Sequence, residues 1–218
     1  MLTRAFLFSG WAFPESSLEP IVRAAGLELE MIDPGRADLW IGWSLGAIRA
    51  LEKAADKPLI LISASARFCG DGDWPGLSIA RVRALRRLLS QNPEDALSRF
   101  HQLTSPHAAP ETIATRVRSS IAIGIDPLLN GLMELERIDA RARLPTCRVP
   151  ALFLHGTRDA VIPADAGRRT AALMPNARFL EHPHGDHDLP LSDPEWLVGR
   201  IRDYLATLEF GHKSPTSI

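Results

Sequence analysis

The sequence predicts an α/β chain with a mostly parallel sheet of about six strands and a block of helices inserted between two core strands. Three observations predict it. Short apolar runs alternate with helical patterns in the first 66 residues and again after residue 147. No strand pattern occurs between Phe68 and Pro150, where only helical segments can be drawn. And the apolar Asp38-Leu39-Trp40-Ile41 runs into Gly42-Trp43-Ser44-Leu45-Gly46, a G-x-S-x-G turn that leads straight into a helical stretch.

Strands are expected near 5–9, 27–32, 38–43, 59–63, 151–155 and 177–181. The first is Ala5-Phe6-Leu7-Phe8, the fifth Ala151-Leu152-Phe153-Leu154-His155, the sixth Ala177-Arg178-Phe179-Leu180-Glu181. One link is problematic. Only residues 33–37 separate the strand at 27–32 from the next, whereas a parallel crossover normally takes a dozen residues or more. Six extended residues reach about 20 Å. Either the link is extended and its helix is missing, or 27–32 is not a strand. The inserted block reads as helices at 78–90, 94–102, 111–123 and 126–135, with Pro93 and Pro110 near helix starts, where proline is favoured. These elements divide the chain into a core of 1–66 and 147–210, a helical cap of 67–146 and a flexible tail of 211–218.

Composition narrows the function class. At 218 residues the chain can bury the core of a single domain, and 45% hydrophobic content is that of a soluble protein. No apolar run approaches 18 residues, so no membrane span is expected, and Met1-Leu2-Thr3-Arg4 shows no signal-peptide pattern. The two cysteines, Cys69 and Cys147, imply packing residues in a reducing cytoplasm rather than a disulfide framework. A pI of 6.7 and the lack of any recognition motif argue against nucleic acid. Charge is nevertheless uneven. Between Arg81 and Arg118 stand seven arginines and three acids, while the whole chain carries a net charge of −1. The arginines form either a solvated helix face or a docking surface for an acidic partner.

The chemistry centres on Ser44. A strand–serine–helix turn exposes the hydroxyl and sets the Leu45 N–H at a helix N-terminus, where developing negative charge is stabilised. The close approach of backbone at such a turn calls for the flanking glycines. A serine nucleophile needs a base, and the base an orienting acid. Asp159 follows the fifth strand, at the sheet end where such folds bind ligands. His182-Pro183-His184-Gly185-Asp186-His187-Asp188 follows the sixth and offers His187 as base, with His184 as the alternative. The H-x-H-x-x-H spacing fits no zinc pattern, so neither metal nor cofactor is expected. A second oxyanion donor is expected from the loop after the first strand, Ser9-Gly10-Trp11-Ala12, as the Trp11 N–H. Placement beside that loop, the serine turn and the second inserted helix makes Trp11, Trp43 and Phe100 the expected walls of an apolar channel to Ser44, with Trp74 on its cap side.

Several segments together resemble a known family. Gly10-Trp11 and Gly42-Trp43-Ser44-Leu45-Gly46 are similar to the pimeloyl-[acyl-carrier protein] methyl ester esterases of bacterial biotin synthesis, which are α/β-hydrolases. So are Leu61-Ile62-Ser63-Ala64-Ser65-Ala66-Arg67-Phe68, Asp73-Trp74-Pro75-Gly76-Leu77 and Leu128-Leu129-Asn130-Gly131-Leu132, followed by Leu135 and Asp139. The similarity spans roughly residues 5–205. It departs at Ser9, where relatives carry histidine, and in the short link before Asp38. The resemblance implies a Ser44–His187–Asp159 triad, with Asp188-Leu189-Pro190 leading from the base into the last helix. It also implies substrate contacts from Phe100, His101, Gln102, Leu103 and Thr104. The implied partner is an acyl carrier protein, docked by Arg99, Arg116 and Arg118. The alternatives are a broad carboxylesterase or thioesterase for small acyl esters, which has no need of cap arginines, and a catalytically silent binding protein of the same fold.

Overall fold

The computed structural model describes residues 3–54 and 56–211. The strands are β1 (Arg4–Phe8), β2 (Glu28–Glu30), β3 (Leu39–Trp43), β4 (Leu59–Ile62), β5 (Ala151–Gly156) and β6 (Ala177–His182). They form one sheet in the order β2-β1-β3-β4-β5-β6, and every neighbouring pair is parallel. The helices are α1 (Glu19–Ala24), α2 (Leu45–Lys53), α3 (Ile79–Gln91), α4 (Pro93–Thr104), α5 (Pro110–Ile123), α6 (Ile125–Arg137), α7 (Ala164–Ala172), α8 (Leu189–Ser192) and α9 (Pro194–Gly211). Helices α3 to α6 stand between β4 and β5, the place expected for the insertion. Residues 212–218 of the expected tail lie outside the described residues. No described helix is long and apolar enough to cross a membrane.

The central strands are buried throughout because both faces are covered. Alternate residues feed two cores. Ile41, Trp43, Ile60, Ile62, Leu152 and Leu154 pack with α1, α9 and the inserted helices. Trp40, Leu59, Leu61 and Phe153 point the other way, against Ala47, Ala50 and Leu51 of α2 and Ala171 of α7. Proline opens two of the inserted helices as expected, and side chains cap α3 and α4. Asn92 accepts from the Asp95 N–H at 3.2 Å with Pro93 in the first turn, and Pro110 opens α5.

The difficult link has a geometric solution. β2 and β3 flank β1 rather than each other, and β2 is only three residues long. Glu30 lies level with Phe6 and Leu39 level with Ala5, so the chain need return by only one residue along β1. The strand expected at 27–32 is cut short because the Glu30 carboxylate accepts from the Ile32 and Asp33 N–H groups at 3.1 and 3.3 Å and turns the chain out, leaving Ile32 87% exposed. A 3-10 turn at Pro34–Arg36, capped by Asp33 on the Gly35 N–H at 2.9 Å, completes the crossing without an α-helix.

Asp38 then locks the start of β3 to the start of β1. Its Oδ2 accepts from the N–H groups of Thr3 and Arg4, each at 2.9 Å. The Thr3 backbone hydrogen bond is the main reason its carboxyl is held below the usual range. Asp38→Ala is expected to cost about 1 kcal/mol, because two N–H donors revert to water. The thermal midpoint should then fall by about 2–4 °C for a chain of this size. An unchanged midpoint would mean that the short crossover holds itself.

Candidate active site

Ser44 sits between β3 and α2 with φ 55° and ψ −117°, a conformation that side chains rarely adopt. Its neighbours permit it. A Cβ on Gly46 would stand 1.9 Å from the Phe8 carbonyl oxygen, and one on Gly42 would stand 2.6 Å from the Ala47 Cα. Both glycines are therefore required by backbone contact. The Ser44 N–H donates to the Ile62 carbonyl at 2.9 Å, which ties the turn to the end of β4.

The Ser44 hydroxyl donates to His187 Nε2 at 2.9 Å, and His187 Nδ1–H donates to Asp159 Oδ2 at 2.8 Å. All three residues are buried, and Ser44 is 4% exposed. The other Asp159 oxygen accepts from the Val161 and Ile162 N–H groups at 2.9 and 2.8 Å. Burial pushes the Asp159 carboxyl up, but its interactions with His187 and His155 outweigh it and hold the group well below the usual carboxylate range. Asp159 is thus ionised, and an ionised acceptor at Nδ1 keeps Nε2 free to take the serine proton.

The two loops that carry this chain of hydrogen bonds are stitched together. Arg158 N–H donates to the Gly185 carbonyl at 2.9 Å and Thr157 N–H to that of His182 at 3.0 Å. The three histidines of the segment part company. His182 pairs with Asp193 at 3.0 Å and His184 is exposed beside Arg158, so His187 and not His184 stands at Ser44. Among the described residues no group of three or more His, Cys, Asp or Glu side chains is arranged to hold a metal ion.

The Leu45 N–H opens α2 and the Trp11 N–H lies in the turn Gly10-Trp11-Ala12-Phe13, closed by the Phe13 N–H on the Gly10 carbonyl at 3.2 Å. Neither N–H has a hydrogen-bond acceptor among the described residues, as an oxyanion hole requires of its donors. A cavity of ≈ 420 Å³ lies under the inserted helices. Trp11, Phe100, Leu103 and Val161 are among its apolar walls, and Arg81 and Arg99 are its two charged ones. It reaches the site at Trp11 and Val161, beside the Gly10-Trp11-Ala12-Phe13 turn and Asp159, but Ser44 does not border it.

Five expected contacts are corrected by the packing. Trp43 is fully buried; it stacks on Phe13 at 4.2 Å and its Nε1–H donates to the His187 carbonyl at 3.1 Å, so it supports the histidine rather than lining the cavity. Trp74 donates to the Arg67 carbonyl at 3.1 Å under the Arg141 guanidinium, away from the cavity. His101 is fully buried against Ser120, the Thr104 hydroxyl turns back to the His101 carbonyl, and Gln102 faces a different groove of the cap. Helix periodicity explains the last three, because five consecutive residues of α4 cannot share one face. Of the expected docking arginines, Arg99 is 69% exposed, paired with Asp95 at 2.9 Å, and Arg118 is exposed. The Arg116 side chain is only 14% exposed and holds Asp188 at 3.0 Å, so it is withdrawn from the surface.

Sequence reasoning missed His155. Its Nε2 lies 2.9 Å from the Ile162 carbonyl and 3.3 Å from Asp159 Oδ2, the same carboxylate oxygen that His187 engages. Its position at the end of β5, four residues before Asp159, was the available signal.

A family profile described as the alpha/beta hydrolase family matches residues 8–200. The chain belongs to the alpha/beta hydrolase family. Two curated relatives are pimeloyl-[acyl-carrier protein] methyl ester esterases. That of Stenotrophomonas maltophilia strain K279a is 34% identical over 180 residues, 78% of this chain and 70% of the relative. That of Xanthomonas oryzae pv. oryzae strain MAFF 311018 is 35% identical over 183 residues, 78% and 71% of the two chains. Among solved structures, an esterase of Exiguobacterium antarcticum superposes with a TM-score of 0.85 at 17% identity, over 94% of this chain and 92% of that one. The enol-lactonase of Burkholderia xenovorans LB400 does so with a TM-score of 0.78 at 16% identity, over 94% and 92%. At such identities the structures attest the fold. Family and curated relatives together make the chain a serine-hydrolase-type enzyme, homologous to the pimeloyl-[acyl-carrier protein] methyl ester esterases.

The buried His101 yields a stability test of the inserted helices. Burial, and then the charge of Arg116, push its imidazole down from 6.5 to about 4. The unfolded chain binds this proton near pH 6.5, whereas the folded chain does not until about pH 4. The contribution is therefore complete above about pH 6.5 and is lost as the pH falls toward 4, to a maximum of about 3 kcal/mol. Urea unfolding across this range should show the loss, and His101→Gln should flatten the profile. An equal slope in the variant would mean that other groups carry it.

Proposed function

We propose that the chain hydrolyses the methyl ester of an acyl group borne by an acyl carrier protein, pimeloyl being the acyl group named for its relatives. The observation that carries the reading is the buried run Ser44–His187–Asp159, with hydrogen bonds of 2.9 and 2.8 Å. In the proposed mechanism the Ser44 oxygen attacks the ester carbonyl while His187 takes its proton. The tetrahedral oxyanion is received by the Trp11 and Leu45 N–H groups. His187 returns the proton to the departing methanol, and Asp159 stabilises the imidazolium meanwhile. Water, activated by His187, then releases the acyl group as its carboxylate and restores Ser44.

The cap in this proposal is 67–146, seated on a core of 1–66 and 147–210. Its cavity suits an acyl chain, since each buried methylene contributes about 0.8 kcal/mol. In this reading Arg81 of α3 and Arg99 of α4, which border the cavity, and the exposed Arg118 of α5 would meet the acidic carrier. Two buried free cysteines suit a reducing compartment, and the proposal places the enzyme in the cytoplasm. One observation favours a second reading, a broad esterase or thioesterase for small acyl esters. Arg83, Arg86 and Arg99 are each paired with an acid of the cap itself, which lowers the charge left for a partner.

Kinetics on two substrates separate these readings. Ser44→Ala should lower turnover of both the carrier-bound methyl ester and a small free ester by about 10³–10⁶. Arg99→Glu should raise KM for the carrier-bound ester alone, and added salt should do the same to the wild type, because exposed charges are screened within about 8–10 Å. Indifference of the carrier-bound reaction to both salt and Arg99→Glu would favour the small-ester enzyme.

A further inference from the structure

One face of α5 touches both halves of the site. Arg116 and Ser120 lie four residues apart, on the same side of the helix. The Arg116 guanidinium holds Asp188, the residue after His187, through Nη2 at 3.0 Å and again through Ser105 at the end of α4. The Asp188 side chain is only 4% exposed, so its charge has been taken out of water and answered by a cap residue. One turn further on, the Ser120 hydroxyl lies 2.7 Å from the Ala12 carbonyl and can donate to it.

Ala12 belongs to the turn that presents the Trp11 N–H, and its φ is 63°. An alanine keeps such a conformation only where its surroundings impose it. Ser120 is itself held. Its oxygen lies 2.8 Å from His101 Nε2 and 2.8 Å from the Arg116 carbonyl. His101 is neutral near pH 7. With its proton on Nε2 it donates to Ser120, which leaves the hydroxyl proton for a carbonyl. Ala12 and Asp188 both belong to the core, and both are fixed by the inserted helices.

We propose that Arg116 and Ser120 are positioning residues: through one face of α5 they hold the oxyanion turn and the histidine loop in place, so that the catalytic arrangement is complete only while the cap is seated. This rests on the reading of Ser44 as an ester-cleaving nucleophile. It makes the cap part of the active-site scaffold, and a cap displaced to admit a carrier-bound chain would release both loops until it reseats.

The test uses p-nitrophenyl acetate, which is too small to need carrier or acyl-chain contacts. Ser120→Ala should lower kcat about tenfold with KM unchanged within about twofold, as for a sub-ångström loss of register. A boronic acid that forms a tetrahedral adduct with Ser44 should bind more weakly in proportion. Arg116→Met should lower kcat further, and Arg116→Lys should recover part of it. Combining Ser120→Ala with Arg116→Lys should lose less than the product of the single losses, because both act through one helix. If Arg116→Met does not fold, Ser120→Ala and Arg116→Lys decide the question. Folded variants with wild-type kcat, or losses that multiply in full, would overturn the inference. A wild-type chain that neither cleaves the ester nor reacts with a fluorophosphonate would sink the esterase reading and this inference with it; an active wild type with insensitive variants would sink this inference alone.

Discussion

The backbone at Ser44 is the constraint on which the rest of the site depends. A residue at φ 55° and ψ −117° must be held by its surroundings, and the contact that holds it is the approach of α2 to the end of β1. Gly46 lies directly against the Phe8 carbonyl, so the serine turn and the first strand share one close-packed point. The turn that carries the proposed oxyanion donor Trp11 begins two residues after Phe8. Its position relative to Ser44 follows from the same contact. The short return from β2 to β3, locked by Asp38, keeps β1 and β3 in the register that this contact requires.

The histidine reaches the serine from the loop after the edge strand β6. Its backbone carbonyl is held by Trp43, the residue before Ser44, and the acid loop after β5 is stitched to the histidine loop. Asp159 is engaged on all sides, by His187, His155 and two N–H groups. A carboxylate so fixed cannot rotate away from His187, and its charge persists in spite of burial. The inserted helices close over this arrangement with Phe100 set edge-on against Trp11 at 4.6 Å, the same tryptophan whose N–H is the proposed oxyanion donor.

The central strands were legible because burial on both faces writes a continuous apolar run into β3, β4 and β5. The inserted helices are legible through Pro93 and Pro110, whose effect on a helix start is local. The link after β2 was not legible, because its feasibility depends on strand order and on where β2 stops; neither is a local property. Ser44, Asp159 and His187 could be proposed because each follows a strand at the same sheet end. Proximity in sequence suggests Trp43 and Trp74 for the cavity, and the family resemblance suggests His101, Gln102 and Thr104, yet the direction of a side chain is decided by helix phase and by tertiary partners such as Ser120 and the His187 carbonyl. Arg116 reads as one more cation of a basic helix until Asp188 is brought beside it.

The central claim, that Ser44 is a nucleophile made reactive by His187, is tested most directly by trapping the acyl-enzyme. The protein is mixed with a p-nitrophenyl ester, quenched in acid within the first turnover and digested, and the peptides are weighed. The account predicts an acyl group on the peptide that contains Ser44 in the wild type, and its loss in His187→Ala while His184→Ala still acquires it. An acyl group on another residue, or equal acylation of Ser44 without His187, would contradict it.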